Sequence, residues 1–253
     1  TGDGARCEPL TLCDAYSRYL LRCQALPRTD TTHVWPVLEA AFREFGLPRV
    51  LRSDNGAPFA STGAGGLSQL AVKVIKAGVL PERIEPGKPQ QNGRLERFHL
   101  TLLKDTADPP ARSLRQQLAR FRVFQREYND ERPHAALGND PPAAHYAPSR
   151  SFDGVLREPT YGSDREVRRV RPNGGIKWRG DEVHISQALA GEPVGLEERA
   201  DGWHVSFGPV ALGIIAHGDD RLRQPKPKTC GLVDRAARIP QGPQEQNQPQ
   251  QSP

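Results

Sequence analysis

The chain lacks several features that would place it in familiar classes of protein. It has no long run of apolar residues and no signal-peptide pattern, so the sequence predicts neither a transmembrane helix nor secretion. Its four cysteines are not spaced in the pairs that bind structural zinc, and the first three are expected to be buried or partly buried thiols of an intracellular protein. The four are Cys7, Cys13, Cys23 and Cys230.

Methionine is absent altogether, including at position 1. Because a complete gene product begins with methionine, we expect these 253 residues to be part of a longer protein. The length is sufficient for one substantial core and a smaller second module. The net charge of +5 and pI near 9.2 suit a polyanionic partner, although a mildly basic soluble protein can have the same values.

Two separated carboxylates are the candidate chemical groups. Asp54 follows the strand-like residues Val50 and Leu51 and precedes the turn signal Asn55-Gly56, so we expect it at the carboxyl end of a strand, where ligand sites open. An ordinary turn explains the same residues without any site.

Glu96 lies in a segment with helical periodicity. The apolar positions of residues 91–105 recur on one face, whereas Asn92, Glu96 and His99 share another. Carboxylates from a strand end and a helix face can bind one hard cation. The simpler interpretation is a solvated Glu beside Arg97.

Three segments in a fixed order resemble a known family. They are Ser-Asp-Asn-Gly-Ala-Pro-Phe (53–59), Lys-Pro-Gln-Gln-Asn-Gly-Arg-Leu-Glu-Arg-Phe-His (88–99) and Tyr-Asn-Asp-Glu-Arg-Pro-His (128–134). Over roughly residues 5–147 the chain resembles the integrase catalytic core of retroviral-type integrases and bacterial insertion-sequence transposases. The resemblance implies an RNase H-like α/β fold and an Asp, Asp, Glu triad that binds two Mg²⁺ or Mn²⁺ ions, with Asp54 as the second acid and Glu96 as the third.

The first acid of the triad has no match. Asp14 lies in Asp-Ala-Tyr-Ser-Arg (14–18), which resembles a family hairpin one strand after that acid. Asp3 lies in a Gly-flanked turn, which predicts a loop residue. We therefore expect the chain to begin one strand late, to bind metal very weakly and to have little or no catalytic activity by itself.

Alternating strand and helix patterns predict an α/β layer architecture, and a small SH3-like β module follows it. Strands are predicted at 9–13, 19–25, 49–54 and 83–85, helices at 34–45, 67–77, 91–105 and 114–128, and a Gly-rich loop at 61–66. The predicted domains are the core (1–147), a linker (148–164), a small β-barrel (165–217) and a disordered Pro- and Gln-rich tail (218–253).

Two groups of residues are candidate DNA contacts. Contacts of basic side chains with phosphates would give affinity for DNA but no sequence information. The alternative for both groups is a solvated surface, and for the group on the β module this alternative places Trp178 in the barrel core. Arg132 and His134 either contact phosphates or hold the turn after the last helix. The group near the scissile bond is Lys88, Asn92, Arg94, Arg97 and Lys104, and the group placed on the first hairpin of the β module is Arg168, Arg169, Arg171, Lys177 and Arg179, with Arg165 beside it.

The resemblance implies a transposase or integrase that cuts and joins DNA. We expect it in the bacterial cytoplasm, associated with the nucleoid and not with a membrane. Its partners would be transposon ends, target DNA and further copies of itself. The alternative is a catalytically inactive DNA-binding remnant of a decayed transposon.

Overall fold

The computed structural model describes residues 1–85 and 93–224, apart from the side chain of Arg94. Its first part is built from strands and helices in alternation. A parallel pair, β3 and β4, follows an antiparallel hairpin, β1 and β2. The elements are β1 (Glu8–Cys13), β2 (Leu20–Leu26), α1 (Thr31–Phe45), β3 (Val50–Ser53), α2 (Gln69–Lys76), β4 (Leu80–Arg83), α3 (Gly93–Thr106) and α4 (Leu114–Asp130).

The helix boundaries follow local capping chemistry. The Asp30 side chain accepts a hydrogen bond from the His33 backbone N–H at the start of α1, and Gly46 ends that helix with a positive φ of 84°. Ser68 caps α2 and Ser113 caps α4 in the same way. These caps satisfy backbone N–H groups that have no partner inside the helix.

One hydrophobic cluster connects the two strand pairs. Leu10 of β1 and Leu51 of β3 both belong to the cluster that contains Leu38 and Phe42 of α1. Within the described residues, however, β1 pairs only with β2, and β3 pairs only with β4. The two pairs therefore pack against the same helix without hydrogen-bonding to each other.

The opposite face of the hairpin carries a second cluster. Leu20 and Cys23 of β2 pack with Phe98 of α3 and with Phe121 and Phe124 of α4. Helices thus cover both faces of the hairpin, as expected for an α/β layer structure.

The second part of the chain is built mainly from β-strands, with a 3₁₀ turn at Gln187–Leu189. Five antiparallel strands form a sheet in the order β11-β10-β9-β8-β5, and β6 and β7 form a separate hairpin. This agrees with the predicted fold class, an α/β part followed by a small all-β module. The strands are β5 (Glu166–Arg169), β6 (Gly175–Trp178), β7 (Asp181–His184), β8 (Pro193–Arg199), β9 (Gly202–Phe207), β10 (Val210–Ile215) and β11 (Leu222–Arg223).

Helix α2 joins the two parts. Leu70 and Val74 belong to the cluster of α1, whereas Ala71 and Ile75 belong to the cluster of the β module. Next to this contact, Lys76 Nζ lies 2.7 Å from Glu192 Oε1, and both side chains are largely buried. The β module therefore packs directly on the first part.

Several predicted boundaries need correction. The strand expected at 83–85 lies at Leu80–Arg83, because its pairing with β3 starts at Val50. The segment expected to be a linker is packed, since Phe152 is buried in the α1 cluster. Strand β11 lies inside the segment expected to be a disordered tail. Leu103, expected on the buried stripe of α3, is 54% exposed.

None of the helices in the described ranges is long and apolar enough to span a bilayer.

Candidate active site

Asp54 lies directly after the last residue of β3, with its carboxylate exposed. Its Oδ1 accepts a hydrogen bond from the Gly56 backbone N–H at 3.0 Å. The Asn55 amide donates to the carbonyl of Ile84 at 3.0 Å, just beyond β4. The Asp-Asn-Gly segment is therefore a turn that also holds an exposed carboxylate at the carboxyl ends of two parallel strands.

Glu96 and His99 lie one helical turn apart on α3. Glu96 is exposed, whereas His99 is half-buried and its Nε2 lies 2.8 Å from Thr11 Oγ1 on β1. Burial lowers the pKa of His99 below its ordinary value, and the charge of Asp54 acts in the opposite direction. The His99–Thr11 contact therefore joins α3 to β1.

The described carboxylates do not fit two metal ions by themselves. Among the residues that the structure describes, no group of three His, Cys, Asp or Glu side chains is arranged to hold a metal. Asp54 and Glu96 supply two carboxylates, and one oxygen of Asp54 already accepts from Gly56. A site for two divalent ions needs at least one further acid to bridge them.

Asp14 and Asp3 are both turn residues, as the sequence predicts. Asp14 Oδ2 accepts from the Ser17 backbone N–H at 2.7 Å and from Ser17 Oγ at 2.8 Å, which closes the β1–β2 hairpin. Asp3 Oδ1 accepts from Thr1 Oγ1 and from the Ala5 backbone N–H, and these hydrogen bonds lower the pKa of Asp3. Both carboxylates thus accept hydrogen bonds within their own turns.

The structure describes two of the candidate DNA contacts near Glu96. Arg97 and Lys104 are both exposed on α3. Lys88 and Asn92 lie outside the described residues, as does the side chain of Arg94.

The sequence predicted that the basic group of the β module lies on one hairpin. In the structure the group is divided between two strand pairs. Arg168 and Arg169 belong to β5, which pairs with β8. Lys177 and Arg179 belong instead to β6 and the tip of the β6–β7 hairpin. Trp178 is 4% exposed in the module's hydrophobic cluster, so it lies in the core.

Carboxylates neutralise most of these arginines. Arg168 pairs with Glu166 at 2.5 Å, Arg169 with Glu158 at 2.9 Å and Arg171 with Glu182 at 3.1 Å. Arg165 pairs with Glu197 at 3.0 Å. Exposed ion pairs are weak, so these contacts permit DNA binding but reduce the positive field available to attract DNA.

The end of α4 and the turn that follows it have a structural role. The side chain of Asn129 is buried and bonds both the backbone N–H and the carbonyl of Leu20 on β2. Arg132 Nη2 lies 2.5 Å from Asp105 Oδ2, and its guanidinium lies over Phe124. These residues therefore hold α4 against β2 and α3. Their role is not limited to the turn that follows α4.

Sequence reasoning missed Thr11. A Thr in a strand has no periodic signature, and its contact with His99 joins residues 88 positions apart. Asn129 had a signal, since it lies within the 128–134 motif, but the motif does not specify its partner.

Comparison with known proteins gives two family matches. Residues 77–142 match the integrase core domain, and residues 165–215 match the C-terminal domain of IS481 family transposases. The segment that matches the integrase core domain includes Glu96, and Asp54 precedes that segment.

The chain is also similar to two insertion-element proteins. It is 29% identical over 158 residues to the insertion element IS476 uncharacterized 39.2 kDa protein of Xanthomonas euvesicatoria, covering 61% of this chain and 44% of the relative. It is 27% identical over 150 residues to the insertion element IS407 uncharacterized 31.7 kDa protein of Burkholderia multivorans, covering 59% and 52%. The chain thus spans about half the length of these relatives.

Two solved structures are similar at low scores. The catalytic core domain of BIV integrase has a TM-score of 0.42 and 18% identity, covering 55% of this chain and 90% of that one. A simian T-cell lymphotropic virus intasome in complex with a PP2A regulatory subunit has a TM-score of 0.43 and 15% identity, covering 88% and 78%.

The family matches occur in the order in which the structure places an α/β part and a β module. The chain is therefore similar to the integrase core domain over one segment and to the C-terminal domain of IS481 family transposases over another.

Proposed function

We propose that this chain is part of a DNA transposase or integrase that cleaves DNA strands and transfers them to target DNA. The observation that carries the proposal is the contact of α3 with β1 through His99 and Thr11. Strand β1 packs on α1 together with β3, the strand that Asp54 follows, so this packing supports a common site for Glu96 and Asp54. The matches to the integrase core and transposase C-terminal domains support the same conclusion.

In this proposal Asp54 and Glu96 are the second and third acids of the triad, and Mg²⁺ or Mn²⁺ is the cofactor. The first acid would lie on a strand outside the described residues. The arrangement of β1 and β3 supports such a strand. Each has only one hydrogen-bonded neighbour within the described part of the chain, although both pack against α1. A strand inserted between them would complete a single sheet, because a central strand pairs on both edges.

The proposed partners are transposon ends, target DNA and further copies of the chain, in the bacterial cytoplasm. Exposed Arg97 and Lys104 on α3 are the described side chains best placed for phosphate contacts beside Glu96. The proposed domains are a catalytic core within 1–147 and a β module within 165–217.

The proposal is tested by metal-dependent nicking and strand transfer on a labelled transposon-end duplex. The chain would be compared with a version extended upstream by its coding sequence, and with Asp54→Asn and Glu96→Gln variants of that version. Asp130→Asn, an exposed change at the end of α4, is the matched control. We expect activity only in the extended wild type and its control, with a loss of at least about 100-fold in the two variants.

Activity that survives both substitutions would contradict the site. The two-carboxylate arrangement also favours a second candidate, a catalytically inactive DNA-binding remnant. That candidate predicts retained DNA binding with no nicking by any version, including the extended one.

A further inference from the structure

The β module contains a pocket that the proposed DNA-cutting function does not use. Its volume is about 580 Å³, which is within the range of pockets that bind small organic ligands. Strands β6, β7 and β9 and the segment after β10 form its walls. The side chains that matter for its chemistry are Trp178, Trp203, Arg179, Asp181, Asp219 and Asp220.

Two tryptophans support an arginine in this pocket. The rings of Trp178 and Trp203 lie edge to face with centroids 4.9 Å apart. The Arg179 guanidinium lies over both rings, at 4.9 Å from the centroid of Trp203 and 5.9 Å from that of Trp178. Arg179 has a positive φ of 48° in the two-residue turn of the β6–β7 hairpin, which directs the chain back over these rings.

Arg179 differs from the other arginines of this part of the module. Arg168, Arg169 and Arg171 each pair with a carboxylate. Within the described residues Arg179 has no ion pair or hydrogen bond, although three carboxylates line the same pocket. Its N–H donors are therefore available to a ligand, and the two rings restrict where they point.

A second charged group in the pocket lacks a partner. The carboxylate of Asp181 has no hydrogen-bond or ion-pair partner among the described residues, whereas Asp219 is paired with Arg223 at 2.7 Å. The pocket thus offers a guanidinium as donor and a free carboxylate as acceptor.

This combination excludes several ligands. A phosphate group would be repelled by three carboxylates. A methylated ammonium group would need the aromatic faces that Arg179 covers. The aspartates are not arranged as a metal site within the described residues. A guanidinium and a carboxylate in one pocket match a neutral, flat group with acceptors on one edge and donors on another.

We propose that this pocket binds an unpaired guanine base of a DNA strand. Guanine presents the acceptors O6 and N7 on one edge, which match a guanidinium in a bidentate contact. Its N1–H and 2-amino donors lie on the Watson–Crick edge, where Asp181 accepts them only if the base is unpaired. The base then lies in the plane of the Arg179 guanidinium, and the charged backbone stays outside the acidic pocket.

The test uses tryptophan fluorescence of the full chain in a Trp35→Phe background, because Trp35 lies in the other core. The probes are five-nucleotide DNA strands of thymine with one central base: guanine, hypoxanthine, 7-deazaguanine or adenine. Hypoxanthine lacks the 2-amino donor and 7-deazaguanine lacks the N7 acceptor. We expect guanine to bind most tightly and each altered base to bind about fivefold or more weakly.

Two variants assign the contacts. Asp181→Asn should remove the discrimination against hypoxanthine, and Arg179→Asn should remove the discrimination against 7-deazaguanine. Asparagine tolerates the positive φ of the Arg179 turn, so the hairpin is retained. Arg157→Gln, which removes an ion-paired arginine outside the pocket, is the control and should retain both preferences.

Equal binding of all four strands would overturn the proposal, as would preferences that survive both pocket variants. Free dGMP distinguishes the source of the base, because tighter binding of dGMP than of the guanine strand would reject a DNA ligand. Asp54→Asn should leave guanine binding unchanged. Failure of this proposal is therefore separable from failure of the proposed DNA-cutting activity.

Discussion

Asn129 illustrates how a motif residue acquires its role from its partners. It is 3% exposed at the end of α4, and its amide oxygen accepts from the Leu20 N–H at 2.8 Å while its amide nitrogen donates to the Leu20 carbonyl. Leu20 is fully buried, so no water can replace the side chain. The irregular end of β2 therefore depends on a residue 109 positions away.

Asn129→Ala should lower the free energy of unfolding by about 1–3 kcal/mol, because the Leu20 N–H loses its acceptor in a buried site. The Leu20 carbonyl keeps the hydrogen bond from Gln125. Urea denaturation followed by circular dichroism measures the change. The neighbouring Asp130→Ala is an exposed control and should change stability by less than about 0.5 kcal/mol, and an equal loss in both variants would contradict this role.

The pKa shifts of two histidines predict how the free energy of unfolding depends on pH. Burial lowers the pKa of His99 and of His134, and Arg132 and Arg18 lower the pKa of His134 further. At pH values between the lowered histidine pKa values of the folded chain and the ordinary value near 6.5, the unfolded chain therefore binds more protons than the folded chain. The free energy of unfolding should be highest above pH 6.5. It should decrease as the pH falls below 6.5 towards the lowered pKa values.

Urea denaturation at several pH values between 5.5 and 7.5 measures this slope. The double variant His99→Gln and His134→Gln should have a flatter profile than the wild type over the same range. A wild-type stability that rises on acidification would contradict the direction of the two shifts.

At the scale of elements, α2 is the connection between the two cores. It has only two turns, yet it contributes Leu70 and Val74 to one cluster and Ala71 and Ile75 to the other. Lys76 at its end pairs with Glu192, whose side chain is 16% exposed. A helix with two buried faces is specified by its neighbours more than by its own propensity.

Lys76→Met should cost about 2–4 kcal/mol, because it leaves the largely buried Glu192 carboxylate without its cation. The double variant Lys76→Met with Glu192→Leu should recover part of that loss. Arg52→Met is a matched control, since its pair with Glu82 has the same 2.7 Å separation but is exposed, and should cost less than about 1 kcal/mol. Thermal unfolding of the three variants tests whether their losses of stability fall in this order.

At the scale of the whole molecule, the α/β part and the β module share one helix and a packed connecting segment. Phe152 of that segment is buried against α1, and the Tyr161 hydroxyl donates to the Pro193 carbonyl at 3.0 Å. The connection is therefore bonded to both parts, and we expect the two to unfold together.

Cooperative unfolding is testable because the tryptophans are divided between the cores. Trp35 lies in the α1 cluster, and Trp178 and Trp203 lie in the module. Urea transitions of a Trp35→Phe variant and of a Trp178→Phe and Trp203→Phe variant should each coincide with the circular dichroism transition. Ile75→Ala should shift fluorescence and circular dichroism equally, by about 2–4 kcal/mol, whereas two separate transitions would show that the parts unfold independently.

The sequence by itself determined the order of elements and the position of the two acids. Hydrophobic periodicity and caps are short-range properties, so α1, α4 and the hairpin lie close to where the pattern predicts them. Asp54 was placed at a strand end because Asn55 and Gly56 follow it directly.

Only the tertiary structure decided which side chains face each other. Arg168 lies on β5, which pairs with β8, yet its guanidinium lies over Trp178 of β6, and ion pairs with glutamates neutralised most of the predicted basic group. The contact of His99 with Thr11 and the stacking of Arg179 on Trp203 arose in the same way. Strand register and helix packing bring distant positions together, and a local pattern contains no information on that distance.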